Sequence, residues 1–579
     1  MRSLLALLSL ALLALISASS NVSADTPLRV GVVSRTFYYV PLWAAVERGF
    51  YKSEGLDVTL EVMQDATTQV SALLEGKSDI TVAPTEAIIS NAESGGPLRM
   101  LAGNSGKLSH FVIAQSKFKR IEDLKGARIG ILSMMEGSRF HFQEIAEKHG
   151  LHYPGDYTLV QTGGAPARHK LLLSDTIDVG LQSIPWSYVA EDAGFANLAD
   201  VAKYIPDWQF TTFNADGRWA SANRDVVVRF LRATQRAVDW MYANREESVG
   251  IAARELQVKE SYADRAWVYF TSTGAITRDM AINEKGLASV VQVMRKAQLL
   301  KGDAPVELSR YVDDSFHKDA RAIAFATGPF LKTPAETKDL FDKLFANVAA
   351  KAGVAHRTVV FADWKDVGRA LVAGQVDVAW MGGGSRYAEA KLAGAGPAIA
   401  TALFQGKPTY RALLIARNGI TFKDFPKDAK GLSLQLTHRN STTGWLAPYA
   451  WLADQGLKPQ RNFAYREGTQ HRDNEIIVAK GEADLVSDSD NNRELMIRQG
   501  AIKADDGRVV WTSAPVPFDP IQVRVDLDPA LAAKFAAAFV AITPEQAKQS
   551  MMTNYTGFAP ATDATYADVV EAWRRYGKD

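Results

Sequence analysis

The spacing of hydrophobic residues changes from a strand period to a helix period within residues 431–456. Leucines stand at every second position from Leu432 to Leu436, which predicts a buried strand. Apolar residues then recur at helical spacing up to Leu452, and Gly456 supplies a helix stop signal. This stretch therefore predicts a strand, a polar turn and a helix.

The turn between these two elements carries hydroxyl side chains at the predicted start of the helix. Asn440, Ser441, Thr442 and Thr443 occupy it, and Pro448 places the helix start within about one turn of itself. Unpaired N–H groups, the positive end of the helix dipole and the hydroxyls together suit an oxyanion. An ordinary N-terminal cap is the alternative, because Ser and Thr caps are common.

The same order of strands and helices is predicted twice along the 579 residues. From Pro27 the pattern predicts β-α-β-α-β order, and residues 225–300 are predicted to be mainly helical. Segments of the first half then reappear in the same order about 300 residues later, which indicates a domain duplication. The paired segments are LLEGKSDITVAPTEA with LVAGQVDVAWMGGGS, IEDLKGARIGIL with FPKDAKGLSLQL, Gly137 with Gly444, and LLLSDTIDVGL with IVAKGEADLVS. We expect α/β units at residues 25–305 and 318–579, joined by a linker at 306–317.

The N-terminal residues and the composition narrow the class of protein. Arg2, an apolar run up to Ile16 and small residues before Asp25 are typical of a secretory signal peptide at residues 1–24. No later apolar run is long enough to span a bilayer, and there is no cysteine for a lipid anchor, a disulfide or a thiolate metal site. With 66 basic and 65 acidic side chains, the formal net charge of +1 favours neither nucleic acid nor a membrane surface as a partner.

The first half resembles a family of binding proteins through short segments that cover most of residues 27–300. These segments are YVPLWAA with GFY, then EGLDV, EGKSD and DLKG. They are similar to the nitrate-, sulfonate- and taurine-binding proteins of ABC importers and to the binders of thiamine-pyrimidine precursors. The resemblance implies a cleft formed by strand ends and helix starts, where the candidate contacts are Phe37, Tyr38, Thr85, Glu86, Gly137, Ser138 and Trp186. For each of these residues, a purely structural role is the open alternative.

The second half, about residues 320–575, resembles the phosphonate- and phosphite-binding components of ABC importers. The matching segments are GQVDVAW, STTGWLAP, a histidine ten residues before Gly481, and FDPI. The two resemblances imply the type II periplasmic binding fold in both halves, in which two α/β lobes are joined by two crossing strands and hold a ligand between them. In the second half the resemblance implies oxyanion contacts at Ser441, Thr442, Thr443 and His471, aromatic walls at Trp364 and Tyr410, and an acid for a ligand ammonium at Asp519.

The second half departs from its family at three places. Trp364 stands where a tyrosine is usual, Asn440 stands where Ser or Thr is common, and residues 382–384 are glycines without the proline often found there. Structural roles are the alternatives for the candidate residues: an exposed loop histidine for His471, a turn carboxylate for Asp519 and core packing for the aromatic residues.

Signatures of hydrolases, nucleotide-binding loops and zinc proteases are missing from the sequence, and we expect neither catalytic residues nor a cofactor or metal. The predicted function is that of a periplasmic solute-binding protein that closes on a small oxyanion-bearing solute, phosphonate-, phosphite- or sulfonate-like, and delivers it to an ABC permease in the inner membrane. A sensor module for a signalling receptor is an alternative. A pyrimidine-precursor synthase is another, although its yeast-type members use a cysteine-rich motif that this chain lacks.

Overall fold

A computed structural model describes residues 25–63, 65–134, 136–302 and 305–578. The expected signal peptide at residues 1–24 lies outside the described residues. The chain divides into two compact units, with the boundary between Arg321 and Ala322. Each unit is built from two lobes.

The first unit contains two five-stranded sheets. One sheet has the order β2-β1-β3-β10-β4, with strands β1 (Thr26–Val32), β2 (Leu56–Val62), β3 (Ile80–Pro84), β4 (Leu98–Ser105) and β10 (Thr211–Asp216). The other has the order β7-β6-β8-β5-β9, with strands β5 (His110–Ala114), β6 (Arg128–Ile131), β7 (Thr158–Gln161), β8 (Val179–Ser183) and β9 (Ala196–Asp200). In each sheet four strands run in the same direction, and one, β10 or β5, runs antiparallel to both of its neighbours.

Helices surround these sheets and fill the C-terminal part of the first unit. They are α1 (Val40–Glu47), α2 (Phe50–Ser53), α3 (Ala66–Leu74), α4 (Thr85–Glu93), α5 (Gly137–Lys148), α6 (Ala165–Leu173), α7 (Trp186–Asp192), α8 (Val201–Tyr204), α9 (Gly217–Ala222), α10 (Arg224–Ala243), α11 (Arg245–Leu256), α12 (Glu260–Thr273), α13 (Glu284–Lys296) and α14 (Ser315–Arg321). The helical character predicted for residues 225–300 is present in α10 to α13.

The stretch predicted as a linker, residues 306–317, belongs to the first unit in the structure. Tyr311 is buried, and its carbonyl accepts a hydrogen bond from the Met100 amide at 2.8 Å. The Asp313 amide donates in turn to the Met100 carbonyl at 2.9 Å. Residues 306–317 are polar and lack periodicity, yet this segment is held in place by its pairing with strand β4. The sequence pattern does not reveal such a tertiary contact.

The second unit repeats the architecture of the first. Its first sheet has the order β12-β11-β13-β22-β14-β23, with β11 (Ile323–Thr327), β12 (His356–Val360), β13 (Val378–Trp380), β14 (Ala398–Phe404), β22 (Pro520–Val523) and β23 (Tyr555–Pro560). Its second sheet has the order β18-β17-β19-β16-β20, with β16 (Ala412–Ala416), β17 (Ser433–Thr437), β18 (Ala464–Thr469), β19 (Leu485–Ser489) and β20 (Arg508–Thr512). Apart from the added β23, both sheet orders correspond to those of the first unit. This confirms the predicted α/β fold of two tandem units, each of two lobes.

The helices of the second unit lie against both sheets. They are α15 (Pro334–Ala352), α16 (Trp364–Val372), α17 (Gly384–Leu392), α18 (Ala447–Asp454), α19 (Pro459–Asn462), α20 (His471–Ala479), α21 (Asp490–Arg498), α22 (Pro529–Val540), α23 (Pro544–Ser550) and α24 (Ala567–Tyr576). The two connections between the lobes form short strands, β15 (Thr409–Tyr410) and β21 (Val516–Pro517), which pair with each other antiparallel. The crossing strands implied by the resemblance are therefore present.

The strand, turn and helix predicted within residues 431–456 are present with two differences. The polar members of β17, Gln435 and Thr437, are buried like its leucines, because β17 is a central strand covered on both faces. A single π-helical turn, Thr442–Leu446, precedes α18. Such π turns are rare and are often found at functional sites.

Candidate ligand-binding clefts

A cleft of about 500 Å³ separates the two lobes of the second unit. Six of the seven residues predicted to contact a ligand in this unit line it: Trp364, Tyr410, Ser441, Thr442, His471 and Asp519. The seventh, Thr443, is fully buried and is not among the lining residues. No lysine or arginine is among the described residues that line this cleft.

The start of the π turn holds Ser441 beside a partly exposed histidine, which is paired with a buried carboxylate. The Ser441 Oγ accepts a hydrogen bond from the Gly444 amide at 2.9 Å and lies 3.0 Å from His471 Nε2. His471 Nδ1 lies 2.8 Å from Asp488 Oδ1, and the Asn492 amide donates to both Asp488 oxygens at 3.0 and 3.1 Å. Ser441, His471 and Asp488 therefore form one continuous series of hydrogen bonds.

The electrostatics of this series favour a neutral imidazole. Desolvation lowers the pKa of His471 to about 4, although 28% of its side chain stays exposed at the cleft. Burial raises the pKa of Asp488 to about 6, so this carboxyl is mainly ionised at pH 7. An ionised carboxylate only accepts hydrogen bonds, which places the imidazole proton on Nδ1 and leaves Nε2 as the acceptor for the Ser441 hydroxyl.

Thr442 connects the two lobes. Its Oγ1 accepts hydrogen bonds from the Ser385 amide at 2.9 Å and from the Ser385 hydroxyl at 3.2 Å. Ser385 lies in the first turn of α17, in the opposite lobe. Because the Thr442 oxygen serves as the acceptor in both contacts, its own proton can be donated, either to the Tyr410 hydroxyl nearby or to a ligand in the cleft.

The aromatic walls explain two of the departures from the family pattern. The Trp364 ring lies flat against the backbone of Gly328 and Gly382, where an added Cβ would come within 2.4 and 2.7 Å of the ring. The larger ring at position 364 therefore requires a glycine at position 382, one of the three glycines at 382–384. On the hinge side, Tyr410 stacks on Phe518 with ring centroids 4.3 Å apart.

Asp519 is the carboxylate of the second cleft and lies on the lobe opposite Ser441. It accepts hydrogen bonds from the Tyr555 hydroxyl at 2.8 Å and from Trp380 Nε1 at 3.2 Å. Burial raises the pKa of Asp519 to about 6, so at pH 7 it remains mostly an anion. The cleft thus offers hydroxyl donors on one side and a negative charge on the other.

The first unit also has a cleft between its lobes, but several predicted contacts serve the protein itself. The Thr85 hydroxyl donates to the Gln209 carbonyl at 3.0 Å. The Ser138 hydroxyl accepts from the Leu132 amide at 2.9 Å and donates to the carboxylate of Glu136. A Cβ on Gly137 would come within 2.4 Å of Glu86 Oε1, so the Glu86 carboxyl covers the backbone at the start of α5.

The three other candidates of the first half have partners in the folded unit. Phe37 stacks on Phe270, and the Tyr38 hydroxyl accepts from the Ser109 amide at 2.9 Å. Trp186 Nε1 donates to the Arg35 carbonyl at 3.3 Å. A recess of about 530 Å³ opens beside them, lined by residues that include Arg35, Asp65 and Gln161.

The structure adds residues that the sequence analysis did not select. In the second unit these are Asp488 and Ser385. Asp488 lies at the carboxyl end of β19, so the rule that strand ends face the cleft was sufficient to find it. In the first unit they are His110, Glu136, His141 and Arg168, all buried, and no local motif distinguishes them from core residues.

The described residues were also searched for membrane-spanning helices and for metal-binding clusters. None of their helices combines the length and apolar character needed to cross a membrane. No group of three or more His, Cys, Asp or Glu side chains in these ranges is arranged to hold a metal ion.

The fold and the two clefts define a tandem pair of two-lobed binding units, and comparison with known proteins agrees for each half. Residues 36–248 match the family model described as NMT1/THI5 like. Residues 331–566 match the model described as ABC transporter, phosphonate, periplasmic substrate-binding protein. The chain is thus a tandem fusion whose halves resemble two different binding-protein families, as the sequence predicted.

Individual relatives are distant. A protein of Brucella abortus (strain 2308) named as a binding protein is 27% identical over 239 residues, which are 41% of this chain and 74% of the relative. The 4-amino-5-hydroxymethyl-2-methylpyrimidine phosphate synthase of Candida albicans (strain WO-1) is 24% identical over 237 residues, 36% of this chain and 66% of the relative. A solved structure from Bordetella bronchiseptica RB50 covers 52% of this chain and 98% of its own, with 20% identity and a TM-score of 0.46.

Proposed function

We propose that the protein is the solute-binding component of an ABC importer and that its second cleft binds a small oxyanion-bearing solute. The observation that carries this proposal is the helix start at Ser441 and Thr442, whose backbone N–H groups and Thr442 hydroxyl face the cleft, with no lysine or arginine among the described residues that line it. Neutral donors and the helix dipole stabilise an anion there. Phosphonate-, phosphite- and sulfonate-like groups fit this chemistry, and the description of the matched model names phosphonate.

The hinge and the contact between Thr442 and Ser385 suggest how binding leads to delivery. The ligand enters between separated lobes, hydrogen bonds from both sides draw them together, and a transiently bound permease in the inner membrane recognises the closed form. No bond in the solute is made or broken. The description of the matched model, a periplasmic substrate-binding protein, supports a periplasmic location for this chain.

Titration calorimetry of the mature chain with methylphosphonate, phosphite, methanesulfonate and taurine tests this proposal. Thr442→Ala removes a hydrogen bond to an anion, worth about 1.5–3 kcal/mol, so binding should weaken by roughly ten- to a hundredfold. Thr553→Ala, at an exposed threonine of the same unit, is the matched control and should bind like the wild type. Failure of all four ligands to bind, or equal binding by Thr442→Ala, would contradict the proposal.

One observation favours a second function, hydrolysis. Ser441, His471 and Asp488 have the connectivity of a serine nucleophile, its base and the acid that orients the base. Two features oppose this function, because the Ser441 oxygen already caps the π turn and a histidine with a pKa of about 4 is a weak base. Labelling with a fluorophosphonate decides between the functions: a mass increase that disappears in Ser441→Ala would support hydrolysis, and we expect no increase.

Genetic context separates transport from sensing and from synthesis. Neighbouring genes for an ATPase and a permease support import, whereas an adjacent histidine kinase supports sensing. The absence of cysteine argues against a synthase that depends on a cysteine-rich motif.

A further inference from the structure

The second unit has another cavity, outside the cleft, between helices α16 and α17. Its volume is about 320 Å³, within the range of cavities that hold small molecules. All of its lining residues belong to one of these two helices or follow directly after it. Trp364 is the one described residue that borders both this cavity and the cleft, so we call this space the rear cavity.

Arg386 lines the rear cavity and is a buried cation whose hydrogen bonds are only partly satisfied. Its side chain is 2% exposed, and Nη1 donates to the Glu389 carboxylate. Neither Nε nor Nη2 has a hydrogen-bond partner among the described residues. A guanidinium stays protonated in proteins and carries five N–H donors, so burial with two unpaired nitrogens is costly.

The two unpaired nitrogens lie on the same edge of the guanidinium group. The Nε–H bond and one N–H bond of Nη2 are parallel, and this edge matches the two oxygens of a carboxylate. The described carboxylate that pairs with Arg386, that of Glu389, binds Nη1 and leaves this edge without an acceptor. Arg386 thus has a pair of donors for a carboxylate from outside the chain.

The charges around the rear cavity favour an anion. Three of the lining residues, Lys365, Arg369 and Arg386, are basic, and one, Glu389, is acidic, which gives the lining a net charge of +2. Arg369 also pairs with Asp366 at 3.2 Å, but these side chains are 76% and 47% exposed, so solvent weakens the pairing. A cationic ligand would be repelled here.

The rest of the lining suits an apolar group. Most of the uncharged lining residues are glycine, alanine or valine, which add no polar side-chain atom. Val372 is 38% exposed, so part of this apolar surface is in contact with water. A ligand body that covers it gains hydrophobic free energy.

We propose that the rear cavity binds a small amphipathic carboxylate, whose two oxygens accept from Arg386 Nε and Nη2 and whose apolar body lies against α16 and α17. This proposal goes beyond the proposed function, which concerns the cleft, and does not rest on it. The ligand is of a different class from the solute proposed for the cleft, because it needs an apolar body as well as a charged group.

The rear cavity lies close to the contact that joins the lobes. Ser385, which precedes Arg386 in the chain, donates to Thr442 Oγ1 through its amide and its hydroxyl. Thr442 lines the cleft and is not among the residues that line the rear cavity. Substitution of Thr442 therefore distinguishes a carboxylate in the rear cavity from one in the cleft.

Titration calorimetry of the full mature chain with benzoate and hexanoate tests the proposal, and benzamide and hexanamide are the uncharged probes of similar shape. At least one carboxylate should bind, at least tenfold more tightly than its amide. Arg386→Met should weaken the carboxylate by ten- to a hundredfold, because two charge-assisted hydrogen bonds are lost. Arg461→Met, at an exposed position of α19, is the matched control and should leave the affinity unchanged.

Two further variants keep the test decisive if Arg386→Met does not fold. Arg386→Lys keeps the charge but not the parallel donors, so the carboxylate should bind about tenfold more weakly. Ala393→Trp places a large ring at the exposed rim of the cavity, leaves Arg386 unchanged and should abolish binding. Ala533→Trp, at an exposed position of α22, is the control for the added ring.

Four outcomes would overturn the proposal. The first is that neither carboxylate binds. The second is that a carboxylate binds to the Arg386 variants as it does to the wild type. The third is that the amides bind as tightly as the carboxylates, which would leave only an apolar cavity. The fourth is that the affinity for the carboxylate falls in Thr442→Ala, which would place the ligand in the cleft.

Discussion

The two clefts use the same backbone arrangement with opposite side-chain chemistry. In the second unit the helix start that faces the cleft carries hydroxyls, and Gly384 on the opposite lobe adds no side chain. In the first unit the position that corresponds to Gly384 in the repeated segments is Glu86, whose carboxyl lies over Gly137. At corresponding positions on the opposite lobe, the second unit therefore has a glycine beside Thr442 and the first unit has a carboxyl over the helix start.

This difference shows what the fold determines and what it leaves to individual residues. Both units have the same sheet order and bring a helix N-terminus of each lobe to the junction. That arrangement favours negative charge in both clefts. In the first unit a carboxyl group of the protein occupies this position, whereas in the second unit the position is left for a ligand.

The largest effect is expected from transferring the acid to the second unit. Gly384→Glu places a carboxylate near Thr442 Oγ1, which lies 3.4 Å from an added Cβ, where it repels an oxyanion and occupies its space. Oxyanion affinity should fall by more than a thousandfold, about 4 kcal/mol. Titration calorimetry measures this, and Gly384→Gln separates charge from size. An unchanged affinity in Gly384→Glu would show that the oxyanion binds elsewhere.

A second prediction concerns stability in the absence of ligand. The pKa of Glu86 is raised from 4.5 to about 8 in the folded unit, so the folded state holds a proton that the unfolded state has already lost at neutral pH. The stability associated with this group is present below pH 4.5 and is lost as the pH rises towards 8. From pH 4.5 to pH 7 this loss is about 3 kcal/mol.

Calorimetric unfolding at several pH values checks this second prediction. Glu86→Gln removes the titrating group, so the variant should be more stable than the wild type at pH 7 and similar to it at pH 4.5. Glu61→Gln is the control, because its exposed carboxyl should leave the pH profile of the wild type unchanged. Parallel profiles of wild type and Glu86→Gln would contradict the raised pKa.

The sequence was sufficient for the fold because the relevant signals are local and repeated. Alternating leucines in β17, the stop at Gly456 and the recurring segments each specify an element or a duplication. The charge difference between the clefts could not be predicted from these signals. Glu86 appeared as a candidate contact, but the sequence does not show that Glu136 and Ser138 cap each other, or that His141 and Arg168 lie at the same junction. These relations depend on how the lobes meet.

A smaller effect is expected at Asp488, which fixes the His471 imidazole in the second cleft. Asp488→Asn removes the anion that accepts the Nδ1 proton, so the ring loses its preferred tautomer and orientation. The imidazole can then carry its proton on Nε2, which frees the Ser441 hydroxyl for the cleft, so oxyanion binding should tighten by about tenfold, 1.4 kcal/mol. Asp505→Asn, at an exposed position of the same unit, is the control for calorimetric titration. Wild-type affinity in Asp488→Asn would mean that His471 does not depend on this carboxyl.

The smallest effect on a simple oxyanion, and the sharpest distinction between ligand classes, is expected at Asp519. Its carboxylate accepts from Tyr555 and Trp380, and an asparagine can keep an acceptor oxygen for these donors. Removal of the like charge should leave binding of phosphite unchanged or tighten it by about two- to threefold, less than 1 kcal/mol. An ammonium-bearing ligand such as 2-aminoethylphosphonate should lose its advantage over methylphosphonate.

The pKa of Asp519, about 6, supplies an internal check on the same pair of ligands. Below pH 6 the wild-type carboxyl becomes protonated, so the preference for the ammonium-bearing ligand should decrease, whereas Asp519→Asn should show no such change. Calorimetric titration of both phosphonates at pH 5 and pH 8 measures the ratio of affinities. Because the two phosphonates ionise differently, the ratio is compared between wild type and Asp519→Asn at the same pH, where that difference cancels. A ratio that is equal in wild type and variant at pH 8 would show that Asp519 serves only Tyr555 and Trp380.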